Sequence, residues 1–365
     1  MNAERLEALR EEIARMDREI VCLLDERASV SVEIGKLKRD GGREVYDPVR
    51  EALLLRRLAE IRRDVLTEAA LRNIFREILS VSRSLQAPLR VAFLGPEGSF
   101  SHQAALAHFG ADITAEPKST IAEVFDAVER GEEGCYGIVP VENSVEGSVK
   151  PSLDRLIETP LAIRAEVFLR VRQCLMSPCK ETEAVRKVYS HPQALAQCRE
   201  WLKTHLPGIP LIEVESTAGA ALRVREDETG AAVGSRLAAG IYGLNLLAEG
   251  IEDHPANTTR FLVLGAKPEG NGAGITGRDK TSILFGTPHA PGALHKALAP
   301  FAEAGISLTR IESWPIRERM WEYLFFADFA GHAEEERTRT CLEELARRTA
   351  FLKVLGSYPR GEELP

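Results

Sequence analysis

Leu6, Leu9, Ile13, Met16, Ile20, Leu23, Val30, Ile34 and Leu37 recur at alternating spacings of three and four residues. That rhythm is the apolar seam of one helix packed along its length. A helix of about 35 residues is roughly 50 Å long. Three helices from one chain cannot bury such a seam by themselves, so a dimer of interlocked helices is expected. One seam position, 27, holds arginine. A cation on an apolar seam is costly unless an anion meets it. Lys38, eleven residues further on, falls on nearly the same face, whereas Arg10 is rotated by roughly 100° toward a different neighbour.

Residues 4–86 read as helix, broken near Asp40-Gly41-Gly42. Asp47 before Pro48 is placed to cap the second helix. The third has its seam at Leu71, Phe75, Ile78 and Leu85, interrupted by Ser82, with Gln86 one turn on. Two readings stand: a satisfied ion pair beside a solvated helix end, or a pocket for a small dianion. The stretches LREEIARMDREIVCLLDERASVSVEIGKLK and DPVRE resemble the all-helical chorismate mutase family. The resemblance covers nearly all of residues 1–87 and implies two sites per dimer, each borrowing an arginine from the partner. Arg10 would be the borrowed residue. Arg27, Lys38, Asp47, Arg50, Glu51, Ser82 and Gln86 would complete the pocket, with Lys38 and Gln86 donating to the ether oxygen of chorismate. Arginines suit its two carboxylates.

The chain of 365 residues has room for two or three domains, and its 44% apolar and 28% charged residues suit a soluble protein with real cores. A net charge of −8 argues against nucleic acid as a partner. The charged first residues give no signal peptide, and no apolar run approaches a membrane span of about 18 residues. The six cysteines match no metal or redox spacing, so reduced thiols, a cytoplasmic protein, and no metal or cofactor are expected. Asn257-Thr258-Thr259 fits a glycosylation pattern, but glycosylation needs secretion.

Residues 88–265 alternate β-rich runs with helical segments, and polar knots recur where the apolar runs end. The knots lie at Ser99, at Glu142-Asn143-Ser144, at Ser190-His191-Pro192-Gln193, at Ser216-Thr217 and at Gly234-Ser235. Each offers hydroxyls and free N–H groups at a helix N-terminus, where anions bind. Each alone reads as a simple N-cap; together they describe a convergent anion cleft. The motifs GPEGSFSHQAA, VENSVEGSV, SHPQALAQC, STAGAA and NTTRF look like the prephenate dehydratase family. That family has two α/β lobes, like a periplasmic binding protein. The resemblance implies lobes of about 90–163 plus 244–265, and 164–243. It makes Thr259 the key residue, with Arg260 holding a carboxylate or orienting the threonine. Phe261, Ser99, Asn143, Ser144, His191, Gln193, Ser216 and Thr217 would bind substrate. His191, acidic near neutral pH, rivals Thr259 as proton donor, and Glu142 ranks below Thr259.

Residues 266–279 are glycine-rich and polar, as a linker would be. Residues 280–358 read β-α-β-β-α-β, the ferredoxin-like pattern. Gly292-Ala293-Leu294-His295 and Ile311-Glu312-Ser313 look like the two ligand motifs of the ACT regulatory domain. The resemblance implies phenylalanine as effector, held between ACT units of paired subunits in a homodimer or higher oligomer. The usual Glu-Ser-Arg-Pro is here Glu312-Ser313-Trp314-Pro315, and Trp314 reads equally as a packing or interface residue.

The combined expectation is a multidomain chain: an all-α mutase, an α/β dehydratase and an α+β ACT unit. It would turn chorismate into prephenate and prephenate into phenylpyruvate under feedback by phenylalanine. Two alternatives stay open: a prephenate or arogenate dehydratase whose helices only dimerise, and a non-catalytic sensor of small molecules.

Overall fold

The computed structural model describes residues 2–131, 134–267, 274–315, 323–361 and 363–364. The apolar seam lies on one unbroken helix, α1 (Asn2–Asp40), which stops at Gly41-Gly42, where Gly42 takes a positive φ of 60°. Asp47 accepts from the Arg50 amide and so caps α2 (Pro48–Glu60); Thr67 does the same for α3 (Glu68–Gln86). Helices α1 and α3 meet most closely at Gly35, where a Cβ would lie 2.9 Å from Gln86 Cα. The rest of the seam finds no cover within the chain. Leu6 is 50%, Ile13 57% and Leu23 63% exposed.

The middle of the chain builds two sheets. The first contains β1 (Arg90–Leu94), β2 (Thr114–Lys118), β3 (Cys135–Asn143), β5 (Ala162–Arg170) and β11 (Thr258–Gly265). Its order is β2-β1-β3-β11-β5, with the short β4 (Gly147–Ser148) paired to β3. Helices α4 (Phe100–Phe109), α5 (Ile121–Glu129) and α6 (Lys150–Glu158) pack on it. The second sheet contains β6 (Cys174–Ser177), β7 (Lys187–Ser190), β8 (Leu211–Glu213), β9 (Gly230–Gly234) and β10 (Asn245–Glu249), in the order β10-β6-β9-β7-β8. It carries α7 (Pro192–Gln197), α8 (Arg199–His205), α9 (Thr217–Val224) and α10 (Arg236–Tyr242).

These pairings correct the expected lobe boundaries of 90–163 plus 244–265 and 164–243. Strand β5 lies in the first sheet beside β11, and β10 lies in the second beside β6. The chain therefore crosses between sheets at residues 171–173 and again at 250–257. Periodicity reveals that an apolar run is a strand, but only pairing decides which sheet receives it.

The last unit runs β12 (Asp279–Gly286), α11 (Ala293–Glu303), β13 (Leu308–Pro315), β14 (Tyr323–Ala330), α12 (Glu336–Arg348) and β15 (Phe351–Pro359). Its sheet order β13-β14-β12-β15 is that of the ferredoxin-like unit. This sheet lies against the first sheet of the middle region. Leu284, Trp314, Phe326, Leu355 and Tyr358 share one buried cluster with Val139, Val141, Leu262 and Leu264. A terminal strand, β16 (Glu363–Leu364), returns to pair with β5. The expected linker 266–279 falls partly outside the described residues. Its last part is structured: Asp279 accepts from the amides of Thr276 and Gly277, and Arg56 of α2 donates to the Thr276 carbonyl at 2.9 Å.

Two outcomes follow from these contacts. A Cβ at Gly356 would overlap the Ile163 carbonyl oxygen, so Gly356→Ala should cost about 1–3 kcal/mol, read as a lower urea midpoint. The second concerns the contact between the helical unit and the first sheet's unit, where Tyr46 meets His108 at 2.6 Å. Burial, then the fields of Arg83 and Arg76, lower the His108 pKa from 6.5 to about 3. Between those values the unfolded chain binds a proton that the folded chain refuses. Stability therefore falls as pH drops below about 6.5, by at most ~1.4 kcal/mol per pH unit. His108→Gln should flatten that part of the urea-midpoint profile; an unchanged slope would show that His108 does not set it.

Candidate active sites

Thr259 is the second residue of β11 and lies opposite Asn143 at the end of β3. The Asn143 amide nitrogen donates to Thr259 Oγ1 at 2.9 Å and to Asn257 Oδ1 at 2.7 Å. Its Oδ1 accepts from the amides of Val145 and Glu146 at 3.0 and 3.1 Å. Both protons and both lone-pair directions are thus used, which fixes the amide's orientation. Asn143 thus holds the Thr259 hydroxyl. Because Thr259 Oγ1 accepts here, its own proton is left to be donated elsewhere.

The other knots are largely helix caps. Ser99 Oγ accepts from the His102 amide and donates to the Leu94 carbonyl at 2.7 Å. Ser216 Oγ accepts from the Gly219 amide, and His191 Nδ1 accepts from the Gln193 amide. Ser144 Oγ accepts from the Thr258 amide. Thr217 and exposed Gln193 lie in the first turns of α9 and α7. Some of the knots touch between the units of the two sheets. Gln197 of α7 donates to Glu146 at 2.9 Å, and Tyr242 of α10 donates to the Glu97 carbonyl at 2.8 Å. Ser235 Oγ donates to the Gly98 carbonyl. Gly98 has φ 79°, and a Cβ there would lie 2.8 Å from Ala238 Cα, so glycine is required for this approach.

Two expected substrate contacts are corrected. Phe261 is 1% exposed inside the core packed on the first sheet. Arg260 points away from Thr259, because successive residues of a strand face opposite ways. Its guanidinium donates to Glu166 at 2.9 Å, to Asp328 and, at 3.1 Å, to Tyr358 Oη. Burial opposes the charge on Arg260, but Tyr358, Asp328 and Glu166 outweigh it and hold its pKa above the ordinary value. The site that Arg260 grips is the ACT sheet.

In the helical unit, Arg27 donates to Ser82 Oγ, and Ser82 Oγ donates to the Ile78 carbonyl at 2.7 Å. Burial lowers the Arg27 pKa. Gln86 Nε2 donates to the Ser82 carbonyl at 3.1 Å, and its buried Oε1 has no partner among the described residues. Lys38 donates to the Val45 carbonyl at 2.8 Å and lies within the fields of Asp47, Arg50 and Glu51. Burial is the largest influence on Lys38 and lowers its pKa. Glu51 is paired with Arg83 at 2.5 Å, yet burial raises its pKa. These residues therefore collect at the α1–α3 crossing and the α1–α2 turn. Arg10 does not. It is exposed, pairs with Glu7 on its own helix, and stands about 25 Å along α1 from Arg27.

The first effector motif borders a small cavity, and the second lies on β13. Gly292, Ala293, Leu294 and His295 border a cavity of about 210 Å³ with His289 and Tyr323. Strand β13 alternates, so Arg310, Glu312 and Trp314 face the dehydratase unit while Ser313 faces out. Trp314 Nε1 donates to Asp154 at 2.9 Å, which makes it an interface residue. A much larger cavity, about 1200 Å³, opens between α2, α3 and the ACT unit and is lined by Glu51, Arg72, Arg76 and Arg83. It lies apart from Thr259.

Sequence reasoning missed Asn257, Gln197, Glu166, Arg310 and Asp328. Arg310 carried one signal, its shared face with Glu312 and Trp314. The others are polar residues whose partners are distant in the chain.

Comparisons with known proteins agree with this arrangement. The family of chorismate mutase type II matches residues 9–87, prephenate dehydratase 91–269 and the ACT domain 281–347. A bifunctional chorismate mutase/prephenate dehydratase of Aquifex aeolicus is 46% identical, with 98% of each chain covered. Among solved structures, a prephenate dehydratase from Arthrobacter aurescens in complex with L-Phe is 35% identical with a TM-score of 0.68, covering 76% of this chain and 92% of that one. A protein described as a novel type of quorum quenching acylase is 34% identical with a TM-score of 0.69, covering 74% of this chain and 98% of that one. With all three units present in order and near-complete coverage at 46% identity, the chain belongs to the family of bifunctional chorismate mutase/prephenate dehydratases.

Proposed function

We propose that dehydration turns on the hydroxyl of Thr259, within a two-lobed cleft of the periplasmic-binding-protein type. The protein is an isomerase and a lyase, converting chorismate to prephenate and prephenate to phenylpyruvate. In the second step the ring carbon–carboxylate bond breaks and carbon dioxide leaves. Its electron pair completes the aromatic ring, and the ring C–O bond breaks on the opposite side. The departing oxygen needs a proton or a strong hydrogen bond. The observation that carries the assignment is the Asn143–Thr259 hydrogen bond, which makes Thr259 an acceptor toward the protein and so a donor toward the cleft. His191 accepts the Gln193 amide through Nδ1, which leaves its Nε2–H to donate and keeps it the rival.

For the first step, Arg27 with Ser82 and Gln86, and Lys38 with Asp47, Arg50 and Glu51, form the pocket. The rearrangement needs no covalent intermediate, only a held conformer and donors at the ether oxygen. The exposed seam of α1 is covered by a second copy, which brings Arg10 to the partner's site. Phenylalanine is the effector, held between ACT units of two copies. The Gly292–His295 cavity and the outward-facing Ser313 suit an effector site completed by a second subunit.

Thr259→Ala should lower phenylpyruvate formation by about 100-fold or more while chorismate is still consumed, and added phenylalanine should slow the wild-type dehydratase. Persistent dehydration by the variant overturns the assignment. Arg10→Ala and Arg27→Ala should each lose mutase activity alone. Mixed and reassociated, they should recover about one quarter of the wild-type rate, since half the dimers are mixed and each regains one of two sites. No recovery on mixing would exclude a shared site.

A further inference from the structure

Cross-strand partners point to the same face, and successive residues to opposite faces. The pair Thr259–Asn143 therefore faces one way, and the next pair, Arg260–Glu142, faces the other. The second pair is gripped by the ACT unit at both members. Arg260 binds Asp328 of β14, whose other oxygen accepts from Ser282 Oγ. Glu142 binds Arg310 of β13 at 3.3 Å. Arg310 in turn holds Glu312 and Ser148 Oγ, and Ser148 Oγ donates to Glu312 at 2.6 Å. Arg260, Glu166, Asp328 and Ser282 are all buried. The strand register at the reaction centre is thus clamped from behind by charges that belong to another domain.

We propose that Arg310 and Asp328 of the ACT unit are positioning residues for the dehydration: through Glu142 and Arg260 they fix the β3–β11 strand pair that presents Thr259 to the cleft. Neither touches substrate. Displacing Thr259 by a fraction of the length of a hydrogen bond would weaken the proton donation without emptying the binding cleft. The inference rests on Thr259 as the dehydration residue. It also places Glu312, in the second effector motif, directly on the arginine that grips the dehydratase strand.

The test uses the full chain and measures both reactions. Arg310→Gln and Asp328→Asn keep approximate side-chain size and remove the charge. Each should lower dehydratase kcat by about tenfold or more, with KM changed by less than about twofold and the mutase rate unaltered. Arg310→Lys should recover part of the loss. Glu142→Gln combined with Arg310→Gln should be no worse than the poorer single variant, since one link is broken once. If Asp328→Asn does not fold, Arg310→Gln at its more open position carries the test. The proposal is overturned if folded variants keep wild-type kcat, if the loss is all in KM, or if the losses multiply in the double variant. Should Thr259→Ala itself retain dehydration, the site assignment falls first. Should Thr259→Ala be inactive while Arg310→Gln and Asp328→Asn run at the wild-type rate, only the positioning role falls.

Discussion

The architecture depends on a buried guanidinium. Arg260 lies 5% exposed between two sheets, and it persists there because Glu166, Asp328 and Tyr358 meet it on every side. Removing a single partner from such a set leaves an uncompensated charge, which is strongly destabilising. Lys280 supplies a second cation to Glu166 at 2.7 Å, so the two carboxylates and two cations balance. The apolar cluster around Leu262, Leu284, Trp314 and Tyr358 presses the sheets together, but it is non-directional. The charged set gives the interface its register.

That register has a chemical consequence. Strand β11 carries a hydroxyl on one face and the guanidinium on the other, in adjacent residues. The same strand is therefore part of a reaction centre and part of a domain interface. Asn143 and Glu142 on β3 repeat the arrangement. A saturated amide holds the threonine, and an ion pair anchors the residue beside that amide. Chemistry and anchoring are separated by the pleat of a sheet and by very little distance.

The helical unit shows the opposite situation. Its contacts with the rest of the chain include Tyr46 with His108, Arg83 with the Phe109 carbonyl, Glu44 with Arg164 and Arg56 with the Thr276 carbonyl. Most of α1 extends away with its apolar stripe uncovered. Burial is what stabilises an amphipathic helix in water, so this stripe is the surface on which a second copy has most to gain.

The sequence alone set much of this. The three-four spacing fixed α1, the Asp47-Pro48 pair fixed the start of α2, and alternation fixed the strands, because each is written in neighbouring residues. The motif resemblances named the three units and singled out Thr259 and Arg27. Tertiary structure decided the rest. It put β5 and β10 in sheets other than those expected, turned Arg260 and Phe261 away from the cleft, and tied the Asn143 amide to Thr259. It also matched Arg310 to Glu142 and Asp328 to Arg260. The physical reason is common to all of these: a residue's periodicity says which face it occupies, but its partner across that face comes from 68 to 168 residues away, and only the packed chain brings the two together.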